Sequence, residues 1–248
     1  VASAARIGHE AGSVDKLGSF FVGLGYGAPD FDSAALSLMR FTPQGALDAG
    51  FGKGGLTLTP LLPLRNRNRA TVTGLLQDAS RRPIVVGWRY VATAIDANVP
   101  AIVAARYTAS GVLDTSFGER GVVTTRVDQT AVAQAFAAAL DGEGRLLVAG
   151  YNGGRKLRNP RGSFDDWSMR AILLRYTPAG VLDASFGDRG VASQSMDLSP
   201  QVKRNGRDYL LYDYQHTKTA GLVLDRLGRA VVAASNGEDP PLLMRFTQ

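Results

Sequence analysis

Three aspartates recur at nearly constant spacing, and their carboxylates could bind a metal ion or cap backbone amides. They lie 66 and 69 residues apart, and each is followed three residues later by a phenylalanine. The recurring positions are Asp48, Asp114, Asp183, Phe51, Phe117 and Phe186. A ring of carboxylates would suit a hard cation. Alternatively, each aspartate caps nearby backbone amides while the phenylalanine fills the joint between repeats. Because the pair recurs with every repeat, we favour the structural role.

Basic and aromatic residues could instead bind an anionic partner. Arginine pairs bidentately with carboxylates and phosphates, and aromatic rings stack on bases or sugars. The net charge of +6 also favours acidic partners. The candidate residues are Arg65, Arg67, Arg69, Arg155, Lys156, Arg158, Arg161, Lys203, Arg204, Arg207, Trp88, Trp167, Tyr209, Tyr212 and Tyr214. The alternative is a set of solvated loops that are basic without serving a partner.

The sequence contains no other motif that favours a catalytic, metal-binding or nucleotide-binding site. The chain has no cysteine, which excludes disulfides and thiolate ligands. His9 and His216 are far apart and belong to no cluster with metal-ligand spacing. Residues 23–27 look like a nucleotide-binding loop, but no helix pattern and no Walker lysine follow them. We therefore predict no catalytic residue, no metal and no cofactor.

The recurring aspartates belong to a longer phrase that the chain repeats. This repeat phrase occupies residues 40–52, 106–118 and 175–187, and a fourth copy starts with Arg245 and Phe246. Repetition at intervals of this length is typical of a repeat architecture. The elements that position the candidate residues are therefore best assigned repeat by repeat.

Each repeat contains four short segments with strand character. In one repeat they are residues 55–59, 70–76, 83–88 and 101–107. These segments alternate apolar and polar residues or are rich in β-branched residues, as strands are. Residues 131–140 are rich in alanine and look helical locally, but alignment with the sister segments predicts a strand. Four antiparallel strands per repeat describe a β-propeller blade, so we predict an all-β fold.

The predicted propeller is a single domain over residues 1–248 with about four blades. Its approximate repeat units are residues 1–41, 42–107, 108–176 and 177–248. The first unit supplies three strands, so the first blade is predicted to be incomplete. We favour one ring of four blades. The alternative is a larger ring, formed by a longer protein or by a dimer, because an open blade edge invites pairing with another chain.

The loop positions bring the basic runs to one face of the predicted propeller. When the strands of a blade are numbered one to four, the one–two and three–four connections emerge on the same face. The runs at 65–69 and 203–207 are one–two connections, and the run at 155–161 is a three–four connection. Four acidic residues on this face temper its positive potential: Asp30, Asp32, Asp165 and Asp166.

The repeat phrase resembles the delta-60 repeats of bacteria. The resemblance rests on Leu-Asp-x-Ser-Phe-Gly-x-x-Gly and the Arg-Tyr-Thr-Pro-x-Gly turn before it. It also includes a later strand of the form Asp-x-x-Gly-Arg-x-Val-Val-Ala-Gly, and it covers almost the whole chain. The resemblance implies a β-propeller, often within a large exported or cell-surface protein, and it implies no general catalytic activity.

Three functions stay open on the sequence alone. The first is a non-catalytic binding or scaffold propeller, exported to the periplasm, cell surface or medium, with a protein partner or self-assembly. The second is a binder of anionic glycan or nucleic acid through the basic aromatic face. The third is a hydrolase or lyase with its active site in the propeller channel. No apolar run approaches the roughly 18 residues that span a membrane, and no signal peptide is recognised.

Overall fold

The computed structural model describes eleven stretches of the chain, and every regular element in them is a β strand. The described residues are 6–14, 18–27, 34–61, 70–91, 99–127, 131–154, 169–195, 201–204, 207–210, 218–235 and 242–246. Within these stretches there is no helix long and apolar enough to cross a membrane.

The strands form four antiparallel sheets and one hairpin, all paired in chain order. The first sheet contains β1 (Arg6–Val14), β2 (Phe20–Gly27), β3 (Ala34–Phe41) and β4 (Leu56–Leu61). The second contains β5 (Ala70–Gln77), β6 (Pro83–Val91), β7 (Val99–Arg106) and β8 (Val122–Thr125). The third contains β9 (Ala131–Leu140), β10 (Leu146–Gly154), β11 (Met169–Tyr176) and β12 (Val191–Ser195). The hairpin is β13 (Gln201–Arg204) with β14 (Arg207–Leu210), and the last sheet contains β15 (Lys218–Leu224), β16 (Ala230–Ser235) and β17 (Leu242–Phe246).

The sheets are out of phase with the sequence repeats. The strand that follows each repeat phrase pairs with the strand that precedes it, so β4 joins β3, β8 joins β7 and β12 joins β11. Each of these sheets therefore takes its fourth strand from the next sequence unit. The prediction that the first blade is incomplete is wrong: the first sheet has four strands, and among the described residues the last sheet has three.

Backbone hydrogen bonds inside the phrase explain this phase. In the second copy, the Asp114 amide donates to the Arg106 carbonyl at 2.9 Å, and the Arg106 amide donates to the Gly121 carbonyl at 3.0 Å. These bonds tie the two ends of the loop together. The chain that leaves the loop must therefore run antiparallel beside the strand that entered it.

Neighbouring sheets pack face to face through three apolar clusters. The first cluster includes Leu36, Leu38, Val72 and Val103. The second includes Val86, Ile102, Val148 and Ile172. The third includes Ala149, Leu173, Val232 and Met244. The first strands also follow one another at the inner rim, since β1 contacts β5, β5 contacts β9 and β9 contacts β15. Successive antiparallel sheets stacked in this way confirm the predicted all-β propeller fold.

Each first strand carries a β-bulge, a feature that the sequence analysis did not predict. The register shifts between Ile7 and Glu10 in β1, and similar shifts occur in β5, β9 and β15. In the second and third sheets a glycine of the neighbouring strand lies opposite the bulge. A Cβ atom on Gly87 would overlap the carbonyl oxygen of Thr71, and one on Gly150 would overlap that of Gln134.

Buried hydroxyl pairs connect adjacent sheets. The Tyr107 hydroxyl lies 2.7 Å from Thr59 Oγ1, and the Tyr176 hydroxyl donates to Thr125 Oγ1 at 2.8 Å. In each pair the threonine belongs to the outer strand of one sheet, and the tyrosine lies at the end of the third strand of the next sheet, with Tyr176 closing β11 and Tyr107 following β7. Burial raises the pKa of Tyr107 to about 12, so its hydroxyl keeps its proton at neutral pH.

Replacing Tyr107 with phenylalanine should leave the Thr59 hydroxyl buried without its partner. We expect the free energy of unfolding to fall by about 1–2 kcal/mol, measured by chemical denaturation. The double variant Tyr107→Phe with Thr59→Val removes both polar partners and should recover part of this loss. A double variant less stable than Tyr107→Phe would contradict the hydrogen-bond explanation.

Candidate functional site

The repeat phrase folds into a tight loop closed by its aspartate. In the second copy, Asp114 Oδ1 accepts hydrogen bonds from the Ser116 amide at 3.1 Å and from the Ser116 hydroxyl at 2.6 Å. Asp183 and Ser185 repeat this arrangement in the third copy. In the first copy Asp48 Oδ1 accepts the Gly50 amide at 3.0 Å, and the hydroxyl bond is missing because glycine has no side chain.

The arginine that opens each phrase holds both the aspartate and the phenylalanine. Arg106 Nε donates to Asp114 Oδ2 at 2.8 Å, and the guanidinium carbon lies 4.7 Å from the centre of the Phe117 ring. The same ion pair and cation–π contact occur at Arg40 and Arg175. The Arg106 side chain is only 4% exposed. The phrase therefore contains a stack of guanidinium on ring, with the carboxylate along the guanidinium edge.

Each phrase loop also binds the turn of the next phrase. The Gly52 amide donates to the Ser110 carbonyl at 2.8 Å, and Arg40 Nη1 donates to the Ala109 carbonyl at 2.7 Å. At the next joint Arg106 Nη1 donates to the Pro178 carbonyl. These contacts link the three loops in chain order along one edge of the sheets.

A glycine in the incoming turn permits this close approach. Gly111 has a φ of +86°, and a Cβ atom there would lie 2.8 Å from the Gly52 amide nitrogen and 3.0 Å from the Phe51 ring. Gly180 occupies the same place against Gly118 and Phe117. A side chain would be strained by the backbone conformation and would also push the loops apart.

The carboxylates of the second and third phrases are held in their ionised form. The Ser116 hydroxyl, followed by the Ser116 amide and Arg106, holds the pKa of Asp114 at about 2. Arg82, from the turn between β5 and β6, adds a second guanidinium 2.8 Å from Asp114 Oδ2. The Ser185 hydroxyl and amide, with Arg175, likewise lower the pKa of Asp183. A carboxylate in this environment is poorly suited to proton transfer near neutral pH.

Removing the Ser116 hydroxyl should make the protein less resistant to acid. A carboxyl whose folded pKa is depressed stabilises the fold above its unfolded pKa of about 3.9, and this contribution disappears as pH falls through the folded pKa. In Ser116→Ala the pKa of Asp114 should rise from about 2 toward the unfolded value. The acid-unfolding midpoint, followed by circular dichroism from pH 6 to pH 1.5, should move to higher pH.

The third phrase offers a replicate of this experiment and the first phrase offers a contrast. Ser185→Ala should shift the midpoint in the same direction, because Ser185 bonds Asp183 in the same way. Gly50→Ser would add a hydroxyl where Asp48 has none. If Ser116→Ala and Ser185→Ala left both the acid-unfolding midpoint and the carboxyl titration unchanged, the serine hydroxyl would not be the main cause of the lowered aspartate pKa.

A small cavity lies at the joint between the second and third sheets. It encloses about 180 Å³ and is bordered by three turns. Lining residues include Asp78, Arg82, Arg106, Phe117, Glu143 and Pro178. Small-molecule sites usually measure about 300–1,000 Å³, so this cavity is smaller than a typical ligand pocket. Among the described residues there is also no group of three or more His, Cys, Asp or Glu side chains arranged to hold a metal.

Most of the predicted anion-binding residues lie outside the described residues. These are Arg65, Arg67, Arg69, Arg155, Lys156, Arg158, Arg161, Trp167, Tyr212 and Tyr214. The hairpin contains four of the remaining candidates, with Lys203 and Arg204 in β13 and Arg207 and Tyr209 in β14. In its register Arg204 is paired with Arg207.

Trp88 is, with Tyr209, an aromatic candidate among the described residues, and it has a neighbour that the sequence analysis missed. It lies in β6, half-buried, with its ring edge-on to Tyr90 at 5.5 Å between centroids. The alternation of Trp88 and Tyr90 about Arg89 was the available signal, because alternate residues of a strand share a face. The arginines of the repeat phrase were missed as well, although each lies eight residues before its aspartate.

Comparisons with known proteins agree with a propeller. Residues 84–117 match a family model described as a domain of unknown function (DUF5122) beta-propeller. The matched stretch begins in β6 and ends at the buried Phe117 of the second phrase. No curated protein matches the chain. Together with the four sheets, the family match shows the β-propeller fold.

Three solved structures are similar to the chain over most of its length. They are a mannose phosphorylase from Leishmania mexicana, an endo-arabinase from Bacteroides thetaiotaomicron and an α-L-arabinofuranosidase mutant from Fusarium graminearum. Sequence identities are 12%, 12% and 11%, and TM-scores are 0.44, 0.46 and 0.43, in the same order. The alignments cover 96%, 96% and 92% of this chain, but 65%, 74% and 59% of those chains.

Proposed function

We propose that this chain is a non-catalytic binding or scaffold propeller built from delta-60 repeats, within an exported or cell-surface bacterial assembly. The observation that carries the proposal is that the recurring carboxylates form ion pairs within their own phrases. Asp48, Asp114 and Asp183 each bond an arginine of the same phrase at 2.7–2.8 Å. The side chains that recur in every phrase hold the sheets together, so binding falls to the connections that differ between repeats.

The strand directions separate the phrase loops from these variable connections. Because the sheets are antiparallel, the strand ends at Leu61, Val91 and Gly154 lie at the edge opposite the phrase loops. The chain segments that follow these ends differ in length from repeat to repeat. A propeller with one constant edge and one variable edge suits a scaffold that presents binding loops on a rigid base.

Binding of an anionic polymer is the second candidate function. The paired strands β13 and β14 favour it, since they bring Lys203, Arg204 and Arg207 together on one hairpin between β12 and β15. The Trp88–Tyr90 pair supplies an aromatic edge for stacking. A polyanion bound in this way should dissociate as salt rises, because neutralised charges release counterions on binding.

Light scattering and polymer binding together test these proposals. The mass of the purified chain is measured at low and high salt, and affinity is measured for heparin, a single-stranded oligonucleotide and neutral dextran. A stable oligomer without polymer binding would support the scaffold. A monomer with salt-sensitive binding to heparin or the oligonucleotide would support the second candidate. A monomer that binds none of them would contradict polymer binding and any scaffold formed by self-assembly, and depolymerisation of heparin would overturn the non-catalytic assignment.

Two charge-matched variants locate any polymer binding. One replaces Lys203, Arg204 and Arg207 by glutamine. The other replaces three exposed arginines in the turns at the phrase-loop edge by glutamine, and these are Arg120, Arg189 and Arg226. Both lose three positive charges, so a general charge effect would weaken them equally. A loss confined to the hairpin variant would support binding through the hairpin.

A further inference from the structure

In the part of the chain that the structure describes, the last sheet has an open edge at β17. Among the described residues β17 pairs with β16 alone, whereas β4, β8 and β12 cover the corresponding edge of the other three sheets. An unpaired edge presents a row of free backbone donors and acceptors and favours pairing with another strand. The position of the missing partner can be inferred from the third sheet.

The register shows that β17 is the counterpart of β11. In the last sheet Phe246 pairs with Ala230, and Arg245 pairs with Val231. In the third sheet Tyr176 pairs with Leu146 and Arg175 pairs with Leu147. Arg245 therefore stands at the same place in its sheet as the arginines that open the complete phrases.

Arg245 lacks the environment that its counterparts have. Arg106 and Arg175 are 4% and 5% exposed and bond the aspartate of their own phrase, whereas Arg245 is exposed. In the stretches that the structure describes, no carboxylate forms an ion pair with Arg245. A cation at this position would be satisfied by an aspartate and a phenylalanine spaced as in the repeat phrase.

The adjoining face of the last sheet is also uncovered. Leu243 is 70% exposed, although Leu38 and Leu173 at the same register position are fully buried against the next sheet. Val223 in β15 is 63% exposed. An apolar surface of this kind beside an open strand edge favours an interaction site.

We propose that the β17 edge binds a further repeat of the same type, whose phrase engages Arg245 and whose following strand pairs with β17. This deepens the proposed scaffold function and rests on it. A folded second copy of this chain is a poorer partner, because its three complete phrases are already engaged in its own joints. Pairing by strand addition supplies backbone hydrogen bonds, and the phrase supplies specificity.

A peptide of residues 180–195 is the probe for this edge. It contains Asp183, Phe186 and the sequence of β12, which occupy the corresponding edge of the third sheet. Labelled peptide should bind the intact chain in a fluorescence anisotropy titration. Replacing Asp183 by asparagine in the peptide should weaken binding roughly tenfold or more, as expected for a desolvated charge pair.

A double-mutant cycle then tests the predicted contact. Arg245→Gln in the protein should weaken binding of the unmodified peptide about as much as Asp183→Asn in the peptide does. The two changes together should weaken binding little more than either alone. Arg226→Gln removes a cation from the exposed turn between β15 and β16 and should leave binding unchanged. Because Arg245 is exposed, its substitution should not impair folding, and circular dichroism checks this.

The outcomes separate this proposal from the scaffold function. Peptide binding that is independent of both Arg245 and Asp183, or an absence of binding, would overturn the edge proposal. In that case light scattering and polymer binding would still test the scaffold function independently. A dimer in light scattering that Arg245→Gln dissociates would likewise assign the edge to a second copy and overturn this proposal.

Discussion

Replacing Asp114 with asparagine is expected to lower the free energy of unfolding by about 3 kcal/mol, because it leaves a buried guanidinium without its countercharge. Arg106 is 4% exposed, lies on the Phe117 ring and bonds Asp114 at 2.8 Å. Arg82 bonds the same carboxylate oxygen. The substitution therefore disrupts two ion pairs within one inter-sheet joint, and chemical denaturation of the two proteins measures the difference.

Asp48→Asn is the matched control for this prediction. Asp48 makes the same ion pair, but the side chains of Arg40 and Asp48 are 20% and 28% exposed and no second arginine bonds Asp48 in the described structure. Water can solvate Arg40 after the change, so we expect a loss of about 1 kcal/mol or less. Equal losses at the two sites would show that burial of the arginine does not determine the effect.

Replacing Gly87 with alanine is expected to destabilise the protein by about 3 kcal/mol, through overpacking against the backbone rather than loss of a contact. The new methyl group would overlap the carbonyl oxygen of Thr71 on the neighbouring strand. Neither strand can yield easily, because β6 lies between β5 and β7 and pairs with both. Thermal and chemical unfolding would measure the loss.

Gly142→Ala provides the control for the glycine substitution. Gly142 lies in the turn between β9 and β10, and a Cβ atom there would meet nothing within 4 Å. The change should stay within about 0.5 kcal/mol of the parent protein. Gly150→Ala should reproduce the large effect, since its Cβ atom would overlap the Gln134 carbonyl oxygen. A mild effect at both Gly87 and Gly150 would contradict the overpacking explanation.

Sequence patterns predicted the type of fold because the repeats reinforce one another. Residues 131–140 are rich in alanine and have little strand propensity, yet alignment with the sister segments predicted a strand, and β9 confirms it. The phrase also marked Asp114 and Phe117 as a recurring pair before their partners were known. Periodicity sufficed here because corresponding strands of successive repeats occupy equivalent environments.

The partners and the phase could not be predicted from the same patterns. Which strand Val122 pairs with depends on hydrogen bonds that close the phrase loop, and those bonds leave no mark in hydrophobic alternation. The role of Arg106 depends on a burial that arises when the next turn docks on it. The bulge opposite Gly87 depends on backbone geometry between two strands, so the glycine alone did not reveal it.

The borrowed fourth strand has a consequence for synthesis on the ribosome. The first sheet holds β1, β2 and β3 once Phe41 has emerged, but β4 ends 20 residues later at Leu61. At roughly 5–20 residues per second, its edge stays open for about 1–4 s. A similar delay recurs at the second and third sheets, whose fourth strands are β8 and β12. Nascent chains should therefore be most prone to mispairing while each phrase and the strand after it emerge, and a ribosome that pauses after the fourth strand rather than within the phrase would protect them.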